Sequence, residues 1–460
     1  METSKPVNNF PKVGQLSVIS KFSYGFGDLA SNLCWSMVTT YLLFFYTDVF
    51  QLQVAAVGTL FFIARFWDAI VDPIVGNIAD NTRTRWGRFR PYLLFGPLAL
   101  AVFTILCFSV PDFSNSGKLI YAYITYILLG MCYSLVNVPY GAMAATLTQD
   151  TDERSKLAAF RTFFAVIGSL IIALATLPIV NKIQSALHTG NGFFYAACIY
   201  SILMVPLFWV VFRNTKEVVE VPKQRSLSFA DISKVIFKNK PLLMVLITSL
   251  LASISLFIKQ SMTIYYTTYV VKDANLSSLL LGVMAICMLI GILIATPLSI
   301  RLGSKKITMM IGIGAAALAC IGLYITGPTR ITFIYVWTIL AAIFSGLTFV
   351  MVWSMIADTI EFAEWETGFR ADGLIYSSAS FVQKLATALA GWLAAMLLSV
   401  THYVPNIEQT RQAMTGINLS MTILPGVLLL ISLFSLIFYK LDRKSYNQIL
   451  AEIQTRKADQ

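Results

Sequence analysis

Residues 64–73 read ARFWDAIVDP, between the apolar flanks VAAVGTLFFI and IVGNIA. Arg65, Asp68 and Asp72 therefore lie inside a stretch long enough to cross a bilayer, where an ionised side chain costs about 3 kcal/mol or more. Asp68 and Asp72 are spaced i, i+4, so both carboxylates share one helix face, and Arg65 shares it from three residues before Asp68. Two close carboxylates do not both ionise cheaply: one takes a proton, or a cation bridges them. Occupancy by H⁺ or Na⁺ then switches the local charge and biases a conformational equilibrium, which is what a coupling site does. A static salt-bridge cluster between helices is the alternative, and the two are compatible.

Lys384, preceded by Ser380 and Gln383, sits in a second apolar stretch. A lysine at this depth pairs or loses its proton, and Asp68 and Asp72 are its expected partners. Asp358, Glu361 and Glu364 are spaced i, i+3, i+6 and run out of an apolar segment. Opposite them fall Arg83, Arg85, Arg88 and Arg90, so a gate of salt bridges is expected there.

The elements that position these groups follow from composition. Of 460 residues, 57% are hydrophobic and only 12% charged, against about 25% charged in soluble domains. Apolar runs of spanning length recur over 29–47, 54–80, 91–111, 119–149, 162–181, 193–212, 241–271, 276–300, 307–329, 331–357, 373–400 and 412–439, giving twelve expected spans in an all-α membrane protein. With Met1 cytoplasmic, 25 of the 34 Lys and Arg fall on the cytoplasmic side and five on the other, which places both termini inside. The net charge of +11 is thus a topology signal, and nucleic acid is not an expected partner; membrane lipid is. The six cysteines lie in apolar spans without CxxC spacing and read as small hydrophobes. No metal-ligand motif, phosphate loop or nucleophile motif occurs, and the two histidines, His188 and His402, belong to loops.

GNIADNTRTRWGRFRPY and IRLGSKKITM are Gly-plus-basic turns six spans apart. That spacing fits two six-helix halves, the architecture of major facilitator transporters. The expected division is a bundle over 1–213, a cytoplasmic loop over 214–240, a second bundle over 241–440 and a tail over 441–460.

KFSYGFGD, LFFYTDVF, ARFWDAIVDP, TRTRWGRFRP, YSLVNVPYGAM, ADTIEFAEW and QKLATALAG occur in that order along the whole chain. The sequence resembles the glycoside-pentoside-hexuronide:cation symporter family, which includes the bacterial melibiose and glucuronide carriers. The resemblance implies a facilitator fold in the bacterial inner membrane and import of a small sugar with a monovalent cation. It implies no cofactor besides the co-transported H⁺ or Na⁺, and no obligate protein partner is evident. The paired acids Asp68 and Asp72 match the family's cation site, and Lys384 matches a lysine near the sugar and cation sites. Asn137 stands where the melibiose carrier has a carboxylate; one negative charge fewer favours H⁺ over Na⁺. Ser134, one turn earlier, is a candidate oxygen contact for cation or sugar, with Tyr133 beside it.

Ser31-Asn32 replaces a Lys-Asp pair of the melibiose carrier, which implies an altered sugar preference. Asp28 shares the face of Asn32 and is read either as a sugar contact or as a structural acid facing the loop arginines. Arg161 fits the family's arginine at the end of the fifth span, with Thr162 the alternative register, and Phe349 stands where the melibiose carrier has a Trp. Lys259 has no counterpart in that carrier; it either faces the cavity, suiting an acidic sugar, or snorkels to an interface. Two other classes remain open, a facilitator for a lipid or drug and a non-transporting sensor.

Overall fold

A computed structural model describes residues 16–148, 150–218, 235–368 and 372–458. Among these the regular structure is helical. The first set comprises α1 (Val18–Phe44), α2 (Val54–Asn81), α3 (Arg90–Cys107), α4 (Asn115–Leu147), α5 (Thr151–Leu187) and α6 (Gly192–Asn214). The second comprises α7 (Lys240–Tyr265), α8 (Leu276–Leu302), α9 (Lys305–Thr326), α10 (Ile331–Thr367), α11 (Asp372–Val400), α12 (Arg411–Met421) and α13 (Ile423–Ile437). A last helix, α14 (Arg443–Ala458), packs on α10. Most of the expected 214–240 loop lies outside the described residues, as does Arg370.

Eleven helices among the described residues are long and apolar enough to cross a membrane, α12 and α13 counting as one run. The expected first span, 29–47, falls in α1, which is 27 residues long but is not one of the eleven. It carries Lys21, Asp28 and Asn32, and most of its residues are buried.

Helix starts are written in the sequence. Ser17, Ser114, Asn191, Asn239 and Ser304 each accept a hydrogen bond from a backbone N–H in the first turn of their helix, satisfying donors that have no carbonyl partner. α1 and α7, six helices apart, both finish in a π-helical turn, at Phe45–Val49 and Tyr266–Val271.

The packing repeats with the same offset. α1 packs on α5 and α6, and α7 on α11 and α13; α4 packs on α2 and α3, and α10 on α8 and α9. The sets meet where α2 packs on α11, α5 on α8 and α1 on α7. Outward faces carry Phe66, Ile202, Leu293 and Ile325, all more than two-thirds exposed, a distribution suited to lipid rather than water.

Two glycines are required by geometry. Gly87 takes φ +117 in the turn between α2 and α3. There the Glu217 carboxylate, after α6, accepts from the backbone N–H groups of Arg88, Phe89 and Arg90. A Cβ on Gly130 of α4 would come within 2.4 Å of Asp68 Oδ1, so only glycine leaves room for that carboxylate.

At the start of α1, Glu153 ties α5 to α1. Its carboxylate accepts from Lys156 at 2.8 Å and from Lys21 at 2.7 Å, and from the Leu16 N–H at 3.1 Å. The bonds from Lys156 and Lys21 hold the Glu153 carboxyl down at about 2, below the usual glutamate value near ~4.3. A depressed carboxyl contributes stability above its unfolded value and loses it as pH falls through its folded one. Glu153→Gln should therefore melt below the parent at pH 7, and the gap should close as pH falls from about 4.5 toward 2. Thermal unfolding of both proteins in detergent across that range checks it; a gap independent of pH would rule the ion pairs out as its source.

Candidate functional site

α2 presents the opening residues toward α4 and α11. Arg65 donates from Nη1 to Asp68 Oδ2 at 2.7 Å and from Nη2 to the Tyr126 hydroxyl at 2.6 Å. Its guanidinium lies 4.1 Å from the Trp35 ring centre, and Trp35 stacks on Tyr133 at 4.4 Å. The cation is thus met by a carboxylate, a hydroxyl and an aromatic face. Asp68 Oδ1 is buried without a hydrogen-bond partner, against Gly130.

One turn on, Asp72 is bound from both sides. Ser134 on α4 donates to Oδ1 at 2.6 Å, and Lys384 on α11 ion-pairs with Oδ2. The two acids therefore divide their cations: Asp68 takes Arg65 and Asp72 takes Lys384, so Lys384 does not pair with Asp68 as well. The Asp72–Lys384 pair joins the first set to the second.

A second polar group lies on α1, α4 and α5. Arg161 grips Asp28 with Nε at 2.6 Å and Nη2 at 3.3 Å, and the Tyr140 hydroxyl donates to the same carboxylate at 2.7 Å. Of the two readings of Asp28, its contact is thus to Arg161 and not to the loop arginines. Asn32 donates to the Asp28 carbonyl at 2.8 Å and accepts from Ser169 at 3.1 Å. Asn137 donates to the Tyr133 hydroxyl at 3.2 Å.

Asp28, Arg161, Lys259 and Phe349 line a cavity of about 450 Å³ between the two sets, and Thr162 lines it too. Thr40, Ser169, Gln260, Thr338 and Ser345 complete its polar lining. None of these five stands out in the sequence; four are hydroxyl residues, and a hydroxyl in an apolar helix more often bonds its own backbone. Ser380 does so, donating to the Tyr376 carbonyl at 3.1 Å, and Gln383 donates to Ser249 at 3.3 Å; neither borders this cavity.

Asp358 on α10 and the arginines of the α2–α3 turn meet partners within their own sets. Asp358 pairs with Lys305 at 2.7 Å, and Arg88 pairs with Asp80. Arg83 donates to the Asp80 carbonyl at 2.9 Å, and the Arg85 guanidinium covers the Trp86 ring at 4.4 Å. Among the described residues the expected bridges from these arginines to Asp358 are not formed, because each group meets a partner close by in its own set. Glu361 and Glu364 lie on the same helix as Asp358.

The opposite end is closed by a knot that the sequence did not announce. Asp48, 5% exposed in the π turn after α1, accepts from the Thr47 hydroxyl at 2.6 Å, the Tyr403 hydroxyl at 2.5 Å and the Tyr269 hydroxyl. Asn406, at φ +60, donates its amide to the Asp48 carbonyl at 2.7 Å. The hydroxyls of Thr47 and Tyr265 lie 2.7 Å apart. Deeper in, Gln260 donates to Thr40 at 2.8 Å. Every one of these contacts except that of Thr47 with Asp48 crosses from the first set to the second.

Comparison with known proteins places the molecule. The MFS/sugar transport protein family profile matches residues 23–443. The isoprimeverose transporter of Lactiplantibacillus pentosus is 34% identical over 446 residues, covering 96% of this chain and 92% of that one. A glucuronide carrier protein homolog of Escherichia coli K12 is 34% identical over 457 residues, covering 96% and 97%. The crystal structure of a D-xylose-proton symporter has TM-score 0.65 at 15% identity over 93% of this chain and 98% of that one, a likeness of fold. The chain belongs to the MFS/sugar transport protein family. It is a multi-pass inner-membrane transporter of sugar type, and not an enzyme.

Removing one donor from the buried Asp48 carboxylate costs about 1–3 kcal/mol, equivalent to roughly a 5- to 150-fold shift toward opening of that end. Tyr403→Phe and Asp48→Asn should both show it. The measurement is labelling of Thr40→Cys by a polar thiol reagent, in a protein whose six native cysteines are replaced. Unchanged labelling rates would show that the knot does not hold this end shut.

Proposed function

We propose that the chain is a twelve-helix symporter with both termini cytoplasmic, its bundles spanning 1–213 and 241–440. It imports a glycoside, pentoside or hexuronide by alternating access, driven by a cation, with H⁺ favoured over Na⁺. One observation carries the coupling: the Asp72–Lys384 ion pair crosses between the sets, one turn from the partnerless oxygen of Asp68.

A proton on Asp72 removes the charge that holds Lys384 and frees α2 to move against α11. A proton on Asp68 satisfies its bare oxygen and loosens Arg65. Protonation of this pair therefore changes the balance between two packings of the same helices. Sodium is the weaker reading: both Asp72 oxygens are engaged, and Asn137 offers an amide already bonded to Tyr133. Sugar hydroxyls then meet Asp28, Arg161 and Ser169 in the cavity. The Asp48 knot is the periplasmic gate, and the arginine turn with α10 forms the cytoplasmic one. The relatives named for isoprimeverose and glucuronide transport support a glycoside-type cargo. Met284, Met288, Leu289 and Ile292 give the cavity one apolar wall, which favours, as a second reading, a lipid or drug; the aglycone of a glycoside satisfies the same wall.

Right-side-out vesicles test the coupling. Asp72→Asn and Asp68→Asn should still exchange labelled glycoside but fail to concentrate it under a proton gradient. If Asp68→Asn accumulates sugar as the parent does, the coupling assignment fails. Accumulation in the parent driven by a sodium gradient alone would reverse the choice of cation. Uptake of an amphipathic drug without any glycoside would establish the second reading.

A further inference from the structure

The cavity is bordered by three charged side chains, Asp28, Arg161 and Lys259. Two of them cancel, because Arg161 grips Asp28 through both of its carboxylate oxygens. Lys259 is left over. It stands on α7, on the wall contributed by the second set, and is 5% exposed. Among the described residues its ammonium meets no carboxylate, and its hydrogen bond goes to the Cys320 sulfur at 3.6 Å. Thiol sulfur is a weak acceptor and an ammonium has three protons to place. Thr338, which borders the same cavity, has a buried hydroxyl with no hydrogen-bond partner.

An interfacial lysine snorkels to water, and a structural one finds an acid. Lys259 does neither, in contrast to Arg65 and Lys384, which both meet acids within the helices. A buried lysine without an acid of its own, bordering the space through which cargo passes, is a site for an anion carried by that cargo, which supplies the missing partner.

We propose that Lys259 binds a singly charged acidic group, a carboxylate or a sulfonate, on the transported sugar. This rests on the sugar-carrier reading above and narrows its cargo to acidic sugars. The lining carries one acid, Asp28, and two bases, Arg161 and Lys259, and an anionic solute supplies the second acid. The same solute bridges the sets, its acid on Lys259 of α7 and its hydroxyls toward Asp28, Arg161 and Ser169 of α1 and α5.

The test compares nitrophenyl glucuronide, nitrophenyl glucoside and the corresponding sulfonated glycoside in exchange assays with the parent, Lys259→Met, Lys259→Arg and Cys320→Asp. The parent should prefer the acidic sugars over the glucoside. Lys259→Met should lose about 10- to 100-fold more affinity for the acids than for the glucoside; Lys259→Arg should keep the preference. Cys320→Asp hands Lys259 a resident carboxylate and should reject the acids without loss of an internal partner, which covers the case in which Lys259→Met fails to fold. Whether glucuronide or sulfonate is preferred identifies the acid. Equal affinity of the parent for acid and glucoside, or an undiminished preference in both Lys259→Met and Cys320→Asp, overturns the assignment of Lys259 and leaves the sugar carrier standing. Exchange of none of the sugars by the parent overturns both.

Discussion

A charge inside an apolar slab is costly unless a polar or charged partner meets it, because no water is there to do so. The helices of this transporter are arranged around that requirement. Arg65 is met by Asp68, Tyr126 and Trp35, which fixes α2 against α1 and α4. Lys384 is met by Asp72, which holds α11 against α2. Arg161 is met by Asp28 and Tyr140, which holds α5 against α1 and α4. The Lys384–Asp72 and Arg161–Asp28 pairs are also contacts between helices, so a change in protonation at either is a change in packing. On the coupling proposed above, chemistry and movement are then the same event.

The repeat sets how that movement is shared. Contacts of α1 and α4 within the first set reappear in those of α7 and α10 within the second, and the sets touch through helices that exchange under the same offset. The chemistry is not repeated. The acids and most of the polar lining belong to the first set, whereas Lys384 and Lys259 come from the second. A symmetric scaffold with an asymmetric charge pattern can rock between two shapes while binding its ligands on one unequal seam.

Much of this was legible in the sequence for a simple reason. A charged residue in an apolar run has no innocuous place to go, so Arg65, Asp68, Asp72 and Lys384 announced themselves and the i, i+4 spacing gave their common face. Which acid met which base was not legible, since that depends on the relative rotation of helices far apart in the chain. Trp35 and Tyr126 were invisible because aromatic residues in such helices usually pack against neighbours or lipid; the need of Arg65 for more than one partner was the available clue. Ser380 and Gln383 share the neighbourhood of Lys384 in sequence yet bond elsewhere, as short polar side chains readily do. Asp48 lay in plain view in FFYTDVF, but an acid at the end of a span reads as a solvated one until tyrosines from two other segments are found covering it.

That knot has a further property. Its carboxylate is held by hydroxyls and by no ammonium, so its strength comes from short-range hydrogen bonds rather than from attraction between opposite charges. Dissolved ions weaken the second kind of contact far more than the first. That closure therefore behaves alike in dilute and in salty surroundings. In the orientation proposed above it faces the side whose ionic strength the cell does not control.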